Sequence, residues 1–184
     1  MEGKSSRCCG LWRFVDAFNS ALGRAVSALV VLVTLLGAAN AVLRYAGRFT
    51  GSSLSSNAWL ELQWYLFALI FLLGAAVTLR EDAHVRVDVV YHRLPPRRRA
   101  WINILGTVLF LIPFCVLMIW SSWAPVRNSW AIWEASPDPG GLPRWPIKTA
   151  IPVAFLLLLA QGASDLARSI AVLRGARAEE SPQP

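Results

Sequence analysis

The sequence predicts an all-α integral membrane protein with four transmembrane helices, both termini cytoplasmic, and a short amphipathic helix in the middle cytoplasmic loop. Three observations predict it. Four apolar runs, three of them free of charge, are long enough to cross a hydrocarbon layer, which takes ~20 helical residues. Lysine and arginine collect in alternate connecting segments. Most of the tryptophans fall at the run ends on the opposite side.

The composition agrees. Of 184 residues, 55% are hydrophobic and only 16% charged, with mean hydropathy +0.47. The net charge of +7 comes almost wholly from arginine, since Lys4 and Lys148 are the lysines. A basic balance can serve nucleic acid, but only as a patch on a folded domain. Here the charges sit between apolar runs, where they orient helices, and nucleic-acid binding is not expected.

Residues 1–24 are expected to form a leading segment. Leu11, Phe14, Val15, Phe18 and Leu22 recur at helical spacing, which suits a helix lying along the inner membrane surface. The membrane domain then covers residues 25–173. Its first span is Ala25–Leu43, between Arg24 and Arg44. Ala39-Asn40-Ala41 resembles a signal-peptide cleavage site, but the run continues past it and the leader is long for an n-region. Ser52–Asn57 reads as a polar hairpin loop, with Asn57 the N-cap of the next helix.

The second span is Leu62–Leu79, between Glu61 and Arg80. After it, Ala83, Val87, Val90 and Leu94 mark one face of a helix over Asp82–Leu94, which Pro95-Pro96 ends. Arg97-Arg98-Arg99 then meets the inner headgroups. The third span is Ala100–Val126, with Pro113 expected to kink it. Ser136–Pro143 holds three prolines and two glycines, and reads as a rigid turn-rich outer loop. The fourth span is Thr149–Leu173, opened by Pro146, provided Asp165 and Arg168 lie near the headgroups or pair with each other. Residues 174–184 read as a disordered cytoplasmic tail.

Orientation follows from the basic residues. The leading segment, the middle loop and the tail carry thirteen Lys and Arg, and the other two loops carry five. Both termini are therefore expected inside. Trp59, Trp64, Trp120, Trp123, Trp130, Trp133 and Trp145 fall near the outer surface, and Trp12 and Trp101 near the inner one.

Candidate chemistry is sparse. Glu61 stands at membrane depth, where a carboxylate suggests proton or cation transfer. It also sits at the positive end of its helix, and Arg44 or Arg127 can pair with it at the same depth, so a structural ion pair is the expectation. His84, Asp88 and His92 share a helix face. Eight residues separate the histidines by ~12 Å along the axis, too far for one metal ion. A His84–Asp88 pair that orients the middle loop is expected instead. Cys8, Cys9 and Cys115 form no CxxC motif. Two histidines are too few for a bis-haem bundle, and no nucleophile triad or phosphate loop appears. No catalytic residue, metal or cofactor is expected. Asn40, Asn103 and Gln161 fall within spans and read as interhelical hydrogen-bonding groups.

These residues resemble a known family. Glu61-Leu-Gln-Trp-Tyr-Leu-Phe67 opens span two. Gly74-Ala-Ala is followed by Leu79-Arg-Glu-Asp-Ala-His-Val-Arg-Val-Asp88. Gly140-Gly-Leu-Pro-Arg-Trp-Pro-Ile-Lys148 enters span four. In this order they resemble the small membrane subunit, DctQ type, of tripartite ATP-independent periplasmic (TRAP) transporters, over residues 20–175. The resemblance implies a four-helix unit in the inner membrane. It implies a large membrane subunit as partner, holding the substrate and ion sites, and a periplasmic solute-binding protein that delivers an organic acid or related solute. It implies a scaffolding and docking role.

The cluster of tryptophans beside the proline-stiffened loop points to Trp130, Trp133, Arg144 and Trp145 as the partner interface. The alternative is an autonomous proton-coupled exporter that uses Glu61. It requires Glu61 to face a central cavity.

Overall fold

The computed structural model describes residues 5–50, 56–81 and 94–174. Among the described residues, five helices carry the architecture: α1 (Ser5–Thr50), α2 (Asn57–Arg80), α3 (Pro96–Gly106), α4 (Ile112–Ala131) and α5 (Trp145–Leu173). A π-helical stretch, Thr107–Leu111, joins α3 to α4. Four segments are long and apolar enough to cross a membrane: Ala17–Phe49, Asn57–Arg80, Arg97–Ala131 and Trp145–Leu173. The amphipathic helix expected at 82–94, with His84 and Asp88, lies outside the described residues, as does most of the Ser52–Asn57 loop.

The bundle is built on α2 and α5. Helix α1 runs along α2, α3 and α4 run along α5, and α5 touches every other helix. Between helices in a bilayer there is no water to expel, so close backbone approach and interhelical hydrogen bonds must hold them. All but Pro152 of the buried residues of α5 fit that need: Ala154, Gly162, Ser164 and Ser169 are small, and Gln161 is polar. A Cβ at Gly162 would stand 2.5 Å from Leu111 Cδ2, so the glycine lets the π-helical stretch approach α5.

Helices α1 and α2 pack antiparallel in one register. Gly23 faces Val77, Gly74 faces Val26, and Gly37 faces Gln63. Helix α1 is continuous over 46 residues, a length of ~69 Å at ~1.5 Å per residue. Its bundle contacts begin N-terminal to Ala25: Asn19 is 1% exposed and donates to Gln161 Oε1 of α5 at 2.6 Å. Gln161 is thus the interhelical group its position suggested, and Asn19 is a partner the charge pattern did not reveal.

Pro113 acts one turn before itself. It has no N–H for the Leu109 carbonyl, and its ring crowds the preceding turn. The chain widens there, and the Ile112 N–H donates to the Thr107 carbonyl five residues back. The expected local break in span three is therefore a π-helical stretch. At the far end of α5, Asp165 and Arg168 pair at 2.7 Å, which lets the helix run to Leu173. Pro146 falls in the first turn of α5, as expected.

Candidate functional site

The segment between α4 and α5, residues 132–144, is a folded loop. Its core is a single antiparallel bridge between Ala135 and Pro143. The Ser136 N–H donates to the Leu142 carbonyl at 3.1 Å, and the Arg144 N–H donates to the Glu134 carbonyl at 2.8 Å. At the tip, the Gly141 N–H reaches the Asp138 carbonyl at 3.0 Å, and Gly140 has φ +73°. A type II turn requires a positive φ in the third place and favours proline in the second, and Asp138-Pro139-Gly140-Gly141 has both.

One stripe of α2 clamps this loop. Asn57, Glu61 and Tyr65 are four residues apart and so lie on one helix face. Asn57 Nδ2 donates to the Pro139 carbonyl at 3.1 Å, and the Tyr65 hydroxyl donates to the Pro143 carbonyl at 3.2 Å. Between them the buried Glu61 carboxylate accepts from the Leu142 N–H at 2.5 Å and from the Ser136 hydroxyl. Gly141 makes the approach possible, because a Cβ there would stand 2.8 Å from Glu61 Oε2 and 2.5 Å from Ser136 Cβ.

Two expectations are corrected here. Glu61 was expected to pair with Arg44 or Arg127. Its hydrogen-bond partners are neutral loop donors instead, and the cation whose field reaches it is Arg144. The loop folds back over α2 and brings an amide and a hydroxyl closer than either arginine. Asn57 was expected to cap α2, but Ser56 holds the cap position without a side-chain hydrogen bond, and Asn57 spends its amide on Pro139.

The loop is tied to α5 as well. The Lys148 ammonium pairs with the Glu134 carboxylate and is the main reason its carboxyl lies below the ordinary range. A lowered carboxyl favours the paired state at neutral pH and loses that contribution only as pH falls through its own value.

The tryptophans expected as an interface come together. The Trp130 and Trp145 rings meet at a centroid distance of 4.3 Å, tilted by 54°, with Trp133 at 5.5 Å from Trp145 and 6.0 Å from Trp130. Trp130 Nε1 donates to Thr149 Oγ1 at 2.8 Å. Trp133 is 65% exposed and has φ +49°. It occupies the position just past the end of α4: its N–H donates to the Trp130 carbonyl at 3.4 Å, and the Glu134 N–H donates to the Ser129 carbonyl at 3.0 Å. This is the Schellman pattern, whose left-handed residue is usually glycine. A side chain there costs about 1–2 kcal/mol. Trp133 bears that cost while two-thirds exposed, and its tilted contact with Trp130 and edge-to-face contact with Trp145 offset part of it.

A family model described as "Tripartite ATP-independent periplasmic transporters, DctQ component" matches residues 33–172. A Haemophilus influenzae protein named as a TRAP transporter small permease is 34% identical over 105 residues, covering 57% of this chain. The match spans 62% of that relative's length.

Proposed function

This chain belongs to the DctQ component family of tripartite ATP-independent periplasmic transporters, and from that premise we propose that it is the small permease subunit of such a transporter. The family is one of transporter permeases rather than enzymes, and its four apolar helices make the chain a multi-pass protein of the bacterial inner membrane. In our reading the subunit scaffolds the large membrane subunit and docks the periplasmic binding protein through the 132–144 loop. The transport it supports is ion-coupled uptake of an organic acid or related solute.

The observation that carries the docking role is Trp133. A tryptophan held in a left-handed conformation, mostly exposed, on a loop clamped from two helices loses little entropy on binding. Exposed aromatic side chains on stiff supports are frequent hot spots. Glu61 speaks against the exporter alternative, because it faces the loop and its carboxylate is engaged by Ser136 and Leu142.

The test separates docking from local structure. Trp133→Gly should relieve the backbone strain by about 1 kcal/mol while removing the ring. The variant should insert normally and unfold no earlier than the parent, yet lose most transport or partner co-purification. Trp120→Ala, on the exposed face of α4, should change neither. If Trp133→Gly assembles and transports like the parent, the docking reading is wrong.

The proposed orientation has its own measurement. In intact cells, an impermeant thiol reagent should label a cysteine placed at Asp138 and not one placed at Arg98. The reverse pattern would put the loop inside.

A further inference from the structure

We propose that Arg44 and Arg48 hold the phosphate of a membrane phospholipid, with an acyl chain lying in the groove beneath them. The two arginines stand one turn apart on α1, and the largely buried Asn40 lies one turn earlier on the same stripe. With Ala41, Tyr45 and Leu60 they line an open groove of about 320 Å³. The site lies beyond the α2 stripe that binds the loop and has no part in the docking role.

Among the described residues no carboxylate pairs with the charge at this site. Neither guanidinium forms an ion pair among the described residues. No Asp or Glu occurs anywhere between Arg24 and Glu61, so the segment joining α1 to α2 has none to offer. Of the acids at this end of the bundle, Glu61 is engaged by Ser136 and Leu142, and Glu134 by Lys148. A guanidinium stays charged at any working pH, and both side chains are exposed, so they can take a counter-anion from outside the chain.

Depth and shape say which anion. Leu60 lines the groove together with Asn40, and Arg44 lies about 6 Å further along the helix, near the level where α2 begins. Trp59 on the first turn of α2 is half-exposed there, as residues at a headgroup boundary are. On the same turns α1 exposes Val42 and Phe49, at 67% and 76%, so the flanks suit hydrocarbon. A basic pair above an apolar floor matches a phosphodiester above its acyl chain. Each guanidinium can bind phosphate oxygens bidentately. A carboxylate from a partner protein would satisfy the arginines but leave the floor of Ala41 and Leu60 unfilled.

Native mass spectrometry of the full chain in detergent tests this with dioleoylphosphatidylglycerol as probe. The parent should retain one lipid, and the R44A/R48A double variant should bind it about tenfold more weakly. Arg44→Lys, which keeps charge but loses the fork, should fall between them. Charge-matched R97A/R98A, at the other end of the bundle, should bind like the parent. The proposal is overturned if R44A/R48A binds like the parent, or if R97A/R98A weakens binding equally. It is also overturned if dioleoylglycerol, which has no phosphate, binds as well. Displacement of the lipid by inorganic phosphate at equal concentration would mean a free anion site and would overturn the lipid assignment.

Discussion

Replacing Glu61 by leucine releases the 132–144 loop from α2. The substitution leaves the Leu142 N–H and the Ser136 hydroxyl without their acceptor in a part-buried site, and an unmet buried donor is costlier than the bond was worth. Asn57 and Tyr65 remain, each with one neutral hydrogen bond to a loop carbonyl. They do not hold the middle of the loop alone. Limited proteolysis of the detergent-purified chain should cut within 132–144 faster, by on the order of tenfold, and co-purification of partner subunits should fall with it.

Glu61→Gln is the informative companion. Its amide oxygen can still accept from Leu142, and its NH₂ can donate to Ser136 if that hydroxyl turns. The loss should be clearly smaller than for leucine, and whatever complex assembles should keep the ion dependence of the parent. Normal loop protection in Glu61→Leu would refute the clamp. Altered ion dependence in a fully assembled Glu61→Gln complex would return Glu61 to the transport pathway.

Gly141→Val is expected to be comparably damaging for a steric reason. The first added carbon would stand 2.5 Å from Ser136 Cβ and 2.6 Å from its hydroxyl oxygen. Ser136 is fixed by its own hydrogen bonds to Leu142 and Glu61, so it cannot yield without breaking the clamp. Overpacking of this kind costs about 1–3 kcal/mol, seen as a lower unfolding midpoint in detergent. Gly106 is the internal comparison. It is helical with nothing within 4 Å of an added Cβ, so Gly106→Ala should be neutral or stabilise by up to about 1 kcal/mol. Equal midpoints for Gly141→Val and the parent would show that the close approach is not needed.

Much of this was legible in the sequence, and the failures have identifiable causes. The spans followed from hydropathy because a bilayer demands apolar length, and the stiffness of the loop followed from its prolines and glycines. Asn57, Glu61 and Tyr65 stood in the sequence at four-residue spacing. Polar residues at a helix end suggest capping and headgroup contacts, however, and one of Glu61's two donors is a backbone N–H, which no residue type advertises. The reach of α1 into the bundle was hidden by Arg24. That arginine reads as a boundary, yet it is exposed on the helix while Asn19 five residues earlier is buried on Gln161. Trp133 was marked for its residue type. Its left-handed backbone had no signal, because the glycine that usually announces it is absent.

The spacing of the α2 clamp makes it intolerant of insertions in a predictable way. A single residue added between Asn57 and Glu61 turns Asn57 by about 100° around the helix, taking it off the stripe and away from the Pro139 carbonyl. A deletion does the same in the other sense. Four added residues restore the angle to within about 40° but push Asn57 about 6 Å along the axis, past a turn of fixed size. The clamp residues all lie within 57–65, so a length change N-terminal to Asn57 leaves their spacing on α2 unaltered. Reading frame around the helix, rather than residue identity alone, therefore sets which length variants of this subunit keep their loop in place, and natural indels should collect at 51–56 and be missing from 57–65.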